Sequence, residues 1–168
     1  FDTLTYLSST RVYVNCKSKK VKESDKIIVD PLNPDDLYTL SKLTGESLCL
    51  SSGRKVKIVR ISNVLGNDSF SKNFLTEILK DICENGKVDL KLSLASSKDY
   101  IYIEDVAKLL VKISTKGIDN IYNLASGENI KIERILLELR KHLDFSYSVN
   151  QNAHDMIFPK INIDKIPL

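Results

Sequence analysis

The strongest constraint on this sequence is a repeated exchange of strand-length apolar runs with longer segments of helical periodicity. Residues 3–8 read as a buried strand, and a polar, lysine-rich loop runs from there to about residue 30, ending at Asp30-Pro31 and Asn33-Pro34. Asn33 or Asp35 can cap a helix from about Pro34 to Leu50, which Ser51-Ser52-Gly53 stops before a strand at 55–60. A second helix is expected over 70–84. An Asn85-Gly86 turn then leads to a short strand at 87–93, and 99–103 is extended. Helix follows over 104–114, strand over 120–125 closed by Ser126-Gly127, and an amphipathic helix over 130–143. Such alternation predicts a mainly parallel α/β sheet, whose ligands sit beyond the carboxyl ends of the strands. No fixed-period repeat or low-complexity tract competes with that reading.

Composition narrows the class. With 168 residues and 42% hydrophobic content the chain can bury a real core, and no apolar run approaches bilayer length. The N-terminus lacks the residue order of a signal peptide, so a cytoplasmic location with no membrane partner is expected. Thr3 to Leu7 opens directly as a strand and Met156 is the sole methionine, which reads as a fragment or a processed product. Cys16, Cys49 and Cys83 are widely spaced, with no CxxC and no Cys/His cluster. They read as reduced thiols, and no metal site is expected. The net charge of +3 comes from scattered lysines and one cluster, Lys17, Lys19, Lys20 and Lys22. With no aromatic residue among them, these read as a solvated loop, and nucleic acid is not an expected partner.

Chemistry is suggested by Tyr38 and Lys42, four residues apart and therefore on one face of the first helix. A tyrosine, whose ordinary pKa is about 10, becomes a useful base near pH 7 only if roughly 4 kcal/mol of preferential stabilisation reaches its phenolate, and a neighbouring cation can supply part. The spacing alone proves little, because about one Tyr-x-x-x-Lys match is expected by chance and Tyr13 with Lys17 supplies a second. Context separates the two: Tyr38 opens a capped helix after an Asn-Pro loop, whereas Tyr13 precedes the lysine-rich loop. Ser8-Ser9-Thr10 adds hydroxyls at the end of the first strand, where an α/β sheet presents its site.

Five segments in order resemble one family, the extended short-chain dehydrogenases/reductases, which includes the NAD-dependent nucleotide-sugar epimerases, dehydratases and 4-ketoreductases. Leu7-Ser-Ser-Thr-Arg-Val-Tyr13 is similar to the family's Ser-Ser-x-x-Val-Tyr segment, and Tyr38-Thr-Leu-Ser-Lys42 with Glu46 to its Tyr-x-x-x-Lys-x-x-x-Glu helix. Arg60-Ile-Ser-Asn63-Val-Leu-Gly66 resembles the Arg-x-x-Asn-x-x-Gly strand end. Lys98-Asp-Tyr-Ile-Tyr-Ile-Glu-Asp105-Val-Ala resembles the Arg-Asp-Phe-Val-His-Val-x-Asp-Val-Ala segment, and Tyr122-Asn-Leu-Ala-Ser-Gly127 the Tyr-Asn-x-x-x-Gly strand. The resemblance implies the C-terminal part of a Rossmann-like parallel sheet (1–64 and 100–125) plus a small substrate-binding lobe (65–99 and 126–168).

It also implies roles. Tyr38 is the acid/base; Lys42 supports its phenolate and holds the nicotinamide ribose, so that both are catalytic and cofactor-binding. Ser9 is the hydroxyl partner of the sugar, Asn63 meets the sugar or phosphate, and Lys98 stands where the family usually places an Arg on the diphosphate. A Lys there keeps the charge but loses the planar fork. Glu46 and Asp105 are taken as structural. Thr10-Arg11 replaces the Asp-Glu pair usual in the dehydratases, so epimerase and 4-ketoreductase remain. The implied cofactor is NAD or NADP and the implied partner a nucleotide sugar, with homodimer assembly left open. No glycine-rich turn precedes the serines, so the isolated chain is expected to bind the dinucleotide poorly and to be inactive. A non-catalytic nucleotide-sugar binding or regulatory module is the alternative.

Overall fold

The computed structural model describes residues 2–67, 71 and 73–167. In chain order the elements are β1 (Leu4–Ser9), β2 (Lys20–Val21), α1 (Leu37–Leu50), β3 (Val56–Ile61), β4 (Asn63–Leu65), α2 (Phe74–Asn85) and β5 (Lys87–Leu92). There follow β6 (Ser97–Tyr102), α3 (Ile103–Lys116), β7 (Ile121–Leu124), β8 (Asn129–Lys131), α4 (Ile132–Leu139), β9 (Ser146–His154) and β10 (Lys160–Ile161). The chain forms two compact units, one of Phe1–Val64, Asp99–Glu128 and Pro159–Leu168, the other of Leu65–Lys98 and Asn129–Phe158. No helix among the described residues is long and apolar enough to cross a membrane.

The first unit is built on a parallel sheet in the order β1-β3-β7. Its central strand is buried at Val56, Ile58, Val59 and Arg60, as expected of a parallel strand covered on both faces. Alternation along β1 decides what lies on each side. Ser8 Oγ donates to Glu46 on α1 at 2.5 Å, whereas Thr5 Oγ1 lies 2.9 Å from Ser114 Oγ on α3, so the two helices cover opposite faces. One apolar cluster gathers Val59, Ile101, Val106, Ile113, Tyr122 and Leu124; another gathers Val12, Tyr13, Val21, Ala125 and Ile161. Residues 159–167, read from the sequence with the smaller lobe, belong to this first unit instead, where β10 pairs in parallel with β2.

The loop between β1 and α1 is more ordered than its polarity suggests. Thr10–Tyr13 form a 3-10 turn and β2 interrupts the rest. Asp36 anchors it: nearly fully buried, its carboxylate accepts from Asn15 Nδ2 at 2.8 Å and from the Asp30 backbone N–H at 2.8 Å. Of the two capping candidates, Asn33 is the one used, accepting from the Asp35 N–H at the 3-10 turn Pro34–Asp36 that leads into α1. Lys17, Lys19, Lys20 and Lys22 are exposed.

The second unit packs α2 and α4 on the parallel pair β5 and β9 around Ile78, Ile82, Val88, Leu90, Ile132, Leu136 and Phe145. Two expectations need correction here. The last helix is Ile132–Leu139, shorter than 130–143: Asn129–Lys131 are extended as β8, and 140–142 leave the helix as a turn. The nine-residue β9 falls where no element was expected. α2 begins at Phe74, and residues 70 and 72 of the helix expected over 70–84 lie outside the described residues.

Candidate active site

In the first unit, β1 ends at Ser9 and the face of α1 turned toward that strand carries Tyr38, Lys42, Gly45 and Glu46, one stripe at helical spacing. Ser9 caps the 3-10 turn that follows it: its Oγ accepts from the Arg11 N–H at 3.1 Å, which leaves its own O–H to donate elsewhere. Lys42 Nζ lies over the Tyr38 ring at 5.7 Å from the centroid, and it donates to the Leu7 carbonyl of β1 at 3.2 Å. Tyr38 is 46% exposed, so its ring is open to a ligand while the ammonium beside it is fixed to the strand.

Beneath this surface lies a buried polar network. Arg60 Nε and one terminal nitrogen donate to the two oxygens of Glu46 at 2.9 and 2.6 Å, and its other nitrogen donates to Tyr13 Oη at 2.7 Å. Tyr13 Oη in turn donates to Asn123 Oδ1 at 2.8 Å. Burial pushes the Tyr13 phenol above its ordinary pKa although Arg60 pulls the other way. Burial works against the Arg60 charge, and the Glu46 and Tyr13 contacts outweigh it, so its pKa is raised. Tyr13, the other Tyr-x-x-x-Lys tyrosine, is therefore part of the interior. Glu46 is structural in the same sense. Asp105, also taken as structural, is exposed in the first turn of α3, where its charge suits the helix dipole.

The remaining substrate-binding candidates are placed differently. Asn63 Nδ2 donates to the Asp99 carbonyl at 2.8 Å, so half of its amide already serves the backbone. Lys98 belongs to the second unit, where its ammonium lies 5.4 Å from the Phe74 centroid and 5.7 Å from that of Phe158. Asp99 carries more than the sequence suggested: its buried carboxylate accepts from Ser62 Oγ at 2.6 Å and from the N–H groups of Ser126 and Glu128, both at 3.0 Å. It thereby pins the end of β3 to the turn after β7, where Gly127 takes a φ of 82°. Among the described residues no group of three or more His, Cys, Asp or Glu is placed to hold a metal, and all three cysteines are free thiols.

The sequence model of the NAD dependent epimerase/dehydratase family matches residues 1–125. The GDP-6-deoxy-D-mannose reductase of Pseudomonas aeruginosa is 28% identical over 153 residues, 82% of this chain and 47% of that protein. The dTDP-4-dehydro-6-deoxyglucose reductase of Escherichia coli is 27% identical over 147 residues, 76% of this chain and 45% of that protein. The chain thus spans about half the length of the curated relatives it matches. Among solved structures, the UDP-N-acetylglucosamine 4-epimerase of Methanobrevibacter ruminantium superposes with a TM-score of 0.76 at 23% identity, covering 100% of this chain and 57% of that one. The dTDP-glucose 4,6-dehydratase of Bacillus anthracis, solved with NAD, gives 0.77 at 20% identity over 98% of this chain and 54% of that one. These likenesses share the Rossmann-like fold.

Proposed function

The chain belongs to the NAD dependent epimerase/dehydratase family, and we propose that it is the C-terminal part of an NAD(P)-dependent nucleotide-sugar epimerase or 4-ketoreductase whose proton relay is Ser9, Tyr38 and Lys42. The observation that carries this is the Lys42 ammonium held over the Tyr38 ring at 5.7 Å, on the helix face that meets the end of the Ser9 strand. The residues present fit one end of the cofactor. An exposed phenol beside a fixed ammonium suits the nicotinamide ribose, with Tyr38 and Lys42 holding it. Among the described residues the left-handed glycines Gly53, Gly86 and Gly127 lie far apart in the chain and form no glycine-rich turn for the pyrophosphate end. These residues alone therefore bind the dinucleotide poorly and are inactive unless a glycine-rich turn is supplied by the rest of the protein.

When bound, NAD(P) gives or takes the hydride at the sugar carbon, position 4 of the hexose in this reading. The chain's own residues manage the proton. In the reducing direction the Ser9 O–H donates a hydrogen bond to the sugar carbonyl oxygen, and Tyr38 Oη delivers its proton to that oxygen as the C–H bond forms. The phenolate left on Tyr38 is supported by the Lys42 ammonium, and proton uptake from solvent resets it. Oxidation of the hydroxyl runs the same path backwards. The resemblance gives Asn63 the sugar or phosphate and Lys98 the diphosphate, and unit two is the substrate-binding lobe. Thr10-Arg11, where the dehydratases usually carry an Asp-Glu pair, argues against 4,6-dehydratase chemistry.

Turnover of a nucleotide-linked 4-keto-hexose, followed as NAD(P)H absorbance in the whole protein, tests this. Tyr38→Phe lowers kcat by about 10²- to 10⁴-fold, the range of a lost general acid. Turnover retained within a few-fold removes Tyr38 from the chemistry and leaves the reading of a non-catalytic nucleotide-sugar binding module.

A further inference from the structure

The Lys42 ammonium is enclosed by more than its neighbour on the helix. It lies over a second ring, that of Tyr6, at 5.7 Å from the centroid, the same distance as from Tyr38. Tyr6 stands one residue before the carbonyl that Lys42 Nζ reaches, and two before Ser8, on the same face of β1. What lets its ring lie so close to the helix is Gly45: a Cβ there would come within 2.2 Å of Tyr6 Oη and 2.4 Å of Cζ. Real side-chain carbons do not approach so closely, so the ring occupies the space a side chain at position 45 would need. On the other side of Lys42 along the strand, Ser8 Oγ donates to Glu46 at 2.5 Å.

We propose that Tyr6, seated in the notch at Gly45, is a positioning residue that holds the Lys42 ammonium against Tyr38. This rests on the reading of Tyr38 and Lys42 as the proton relay and names the residue that aims it. A lysine carries four rotatable side-chain bonds, so an ammonium on an open helix face samples many positions. Three contacts restrict this one: the Leu7 carbonyl accepts from it, and two aromatic faces flank it within the range where a cation is attracted to a ring. The ring of Tyr6, rather than its hydroxyl, supplies the flank. Phenylalanine therefore suffices at position 6 and an aliphatic residue does not.

The test reads the ammonium directly and needs neither cofactor nor substrate. Lysine amines of the 168-residue chain are converted to ¹³C-dimethyl groups, and the Lys42 resonance is assigned by its loss in Lys42→Arg. Nuclear Overhauser contacts from these methyls to the Tyr38 ring are expected in the natural sequence and in Tyr6→Phe. They are expected to vanish in Tyr6→Leu/Gly45→Ala, where the new methyl refills the space the ring leaves, and in the single variant Tyr6→Leu, which serves if the double variant does not fold. Contacts that persist in a folded Tyr6→Leu variant, or that vanish equally in Tyr6→Phe, overturn the proposal. In the whole protein the same double variant is expected to lower kcat at least about tenfold with the KM for the sugar nucleotide nearly unchanged, and Tyr6→Phe to keep the parent kcat. Failure of the relay itself shows separately, as Tyr38→Phe turning over normally while the Overhauser contacts stay as described.

Discussion

Arg60 sits in the middle strand of the first sheet with its guanidinium almost wholly enclosed, yet every edge of it is answered: Glu46 takes two hydrogen bonds, Tyr13 one, and the Glu23 carbonyl a fourth at 3.3 Å. Taking two charges out of water is costly, and such a pair is stable only while both partners remain. Glu46→Ala is therefore expected to destabilise the chain by about 3–5 kcal/mol, because it leaves a buried cation without its anion. Replacing both, as Glu46→Leu/Arg60→Met, should recover most of that loss. Urea unfolding of the three proteins decides the matter; a single variant as stable as the parent would mean the pair is hydrated. Of this network the sequence marked only Glu46, as structural. Tyr38 and Lys42 follow from spacing and an Asn-Pro loop, and Glu46 continues the same stripe. Tyr6 and Gly45 do not, because a ring in a notch is a tertiary close approach between a strand and a helix that no local pattern encodes.

At the scale of elements, the helices declare themselves through their ends. α2 has Asn73 at its N-cap, accepting from the Thr76 N–H at 2.9 Å, and Gly86 at its C-cap with a φ of 62° and its N–H on the Ile82 carbonyl. Nothing crowds position 86, so the glycine is required by backbone conformation alone. Gly86→Ala should cost about 1 kcal/mol, seen as a lower urea midpoint with an unchanged slope. The Asn85-Gly86 stop was visible in the sequence for that reason, as was β3, whose Val56-Lys-Ile-Val-Arg-Ile61 run is buried almost throughout. β9 was not, because Ser146-Tyr-Ser-Val-Asn-Gln-Asn-Ala-His154 is mostly exposed and polar. It is a strand because Lys87–Leu92 pairs with it in parallel, from Lys87 against Ser146 to Leu90 against Val149. The shortened α4 loses its first residues to extended β8 and its last to a turn at 140–142.

For the molecule as a whole, alkaline pH is the condition that its interior opposes most clearly. Burial pushes the Tyr100 phenol to about 12, and Tyr13 is raised by the same cause. In the unfolded chain a tyrosine ionises near pH 10, so between that pH and the folded value the unfolded state has lost a proton the folded state still holds. Stability from this difference is fully present below about pH 10 and is lost as the pH rises through the folded value. For Tyr100 the loss is about 1 kcal/mol by pH 11 and on the order of 3 kcal/mol in full. Burial is the one cause of the Tyr100 shift. Tyr100→Phe should therefore match the parent protein near pH 8 and exceed it by about 1 kcal/mol at pH 11 in paired urea titrations. Lysines also titrate in this range, and comparing the two proteins at each pH cancels their contribution. A difference that stays flat from pH 8 to 11 would mean that the phenol reaches water in the folded state. A residual alkaline loss in Tyr100→Phe is expected, since Tyr13 remains, and Tyr13→Phe should not remove it as cleanly because that hydroxyl also bonds Arg60 and Asn123.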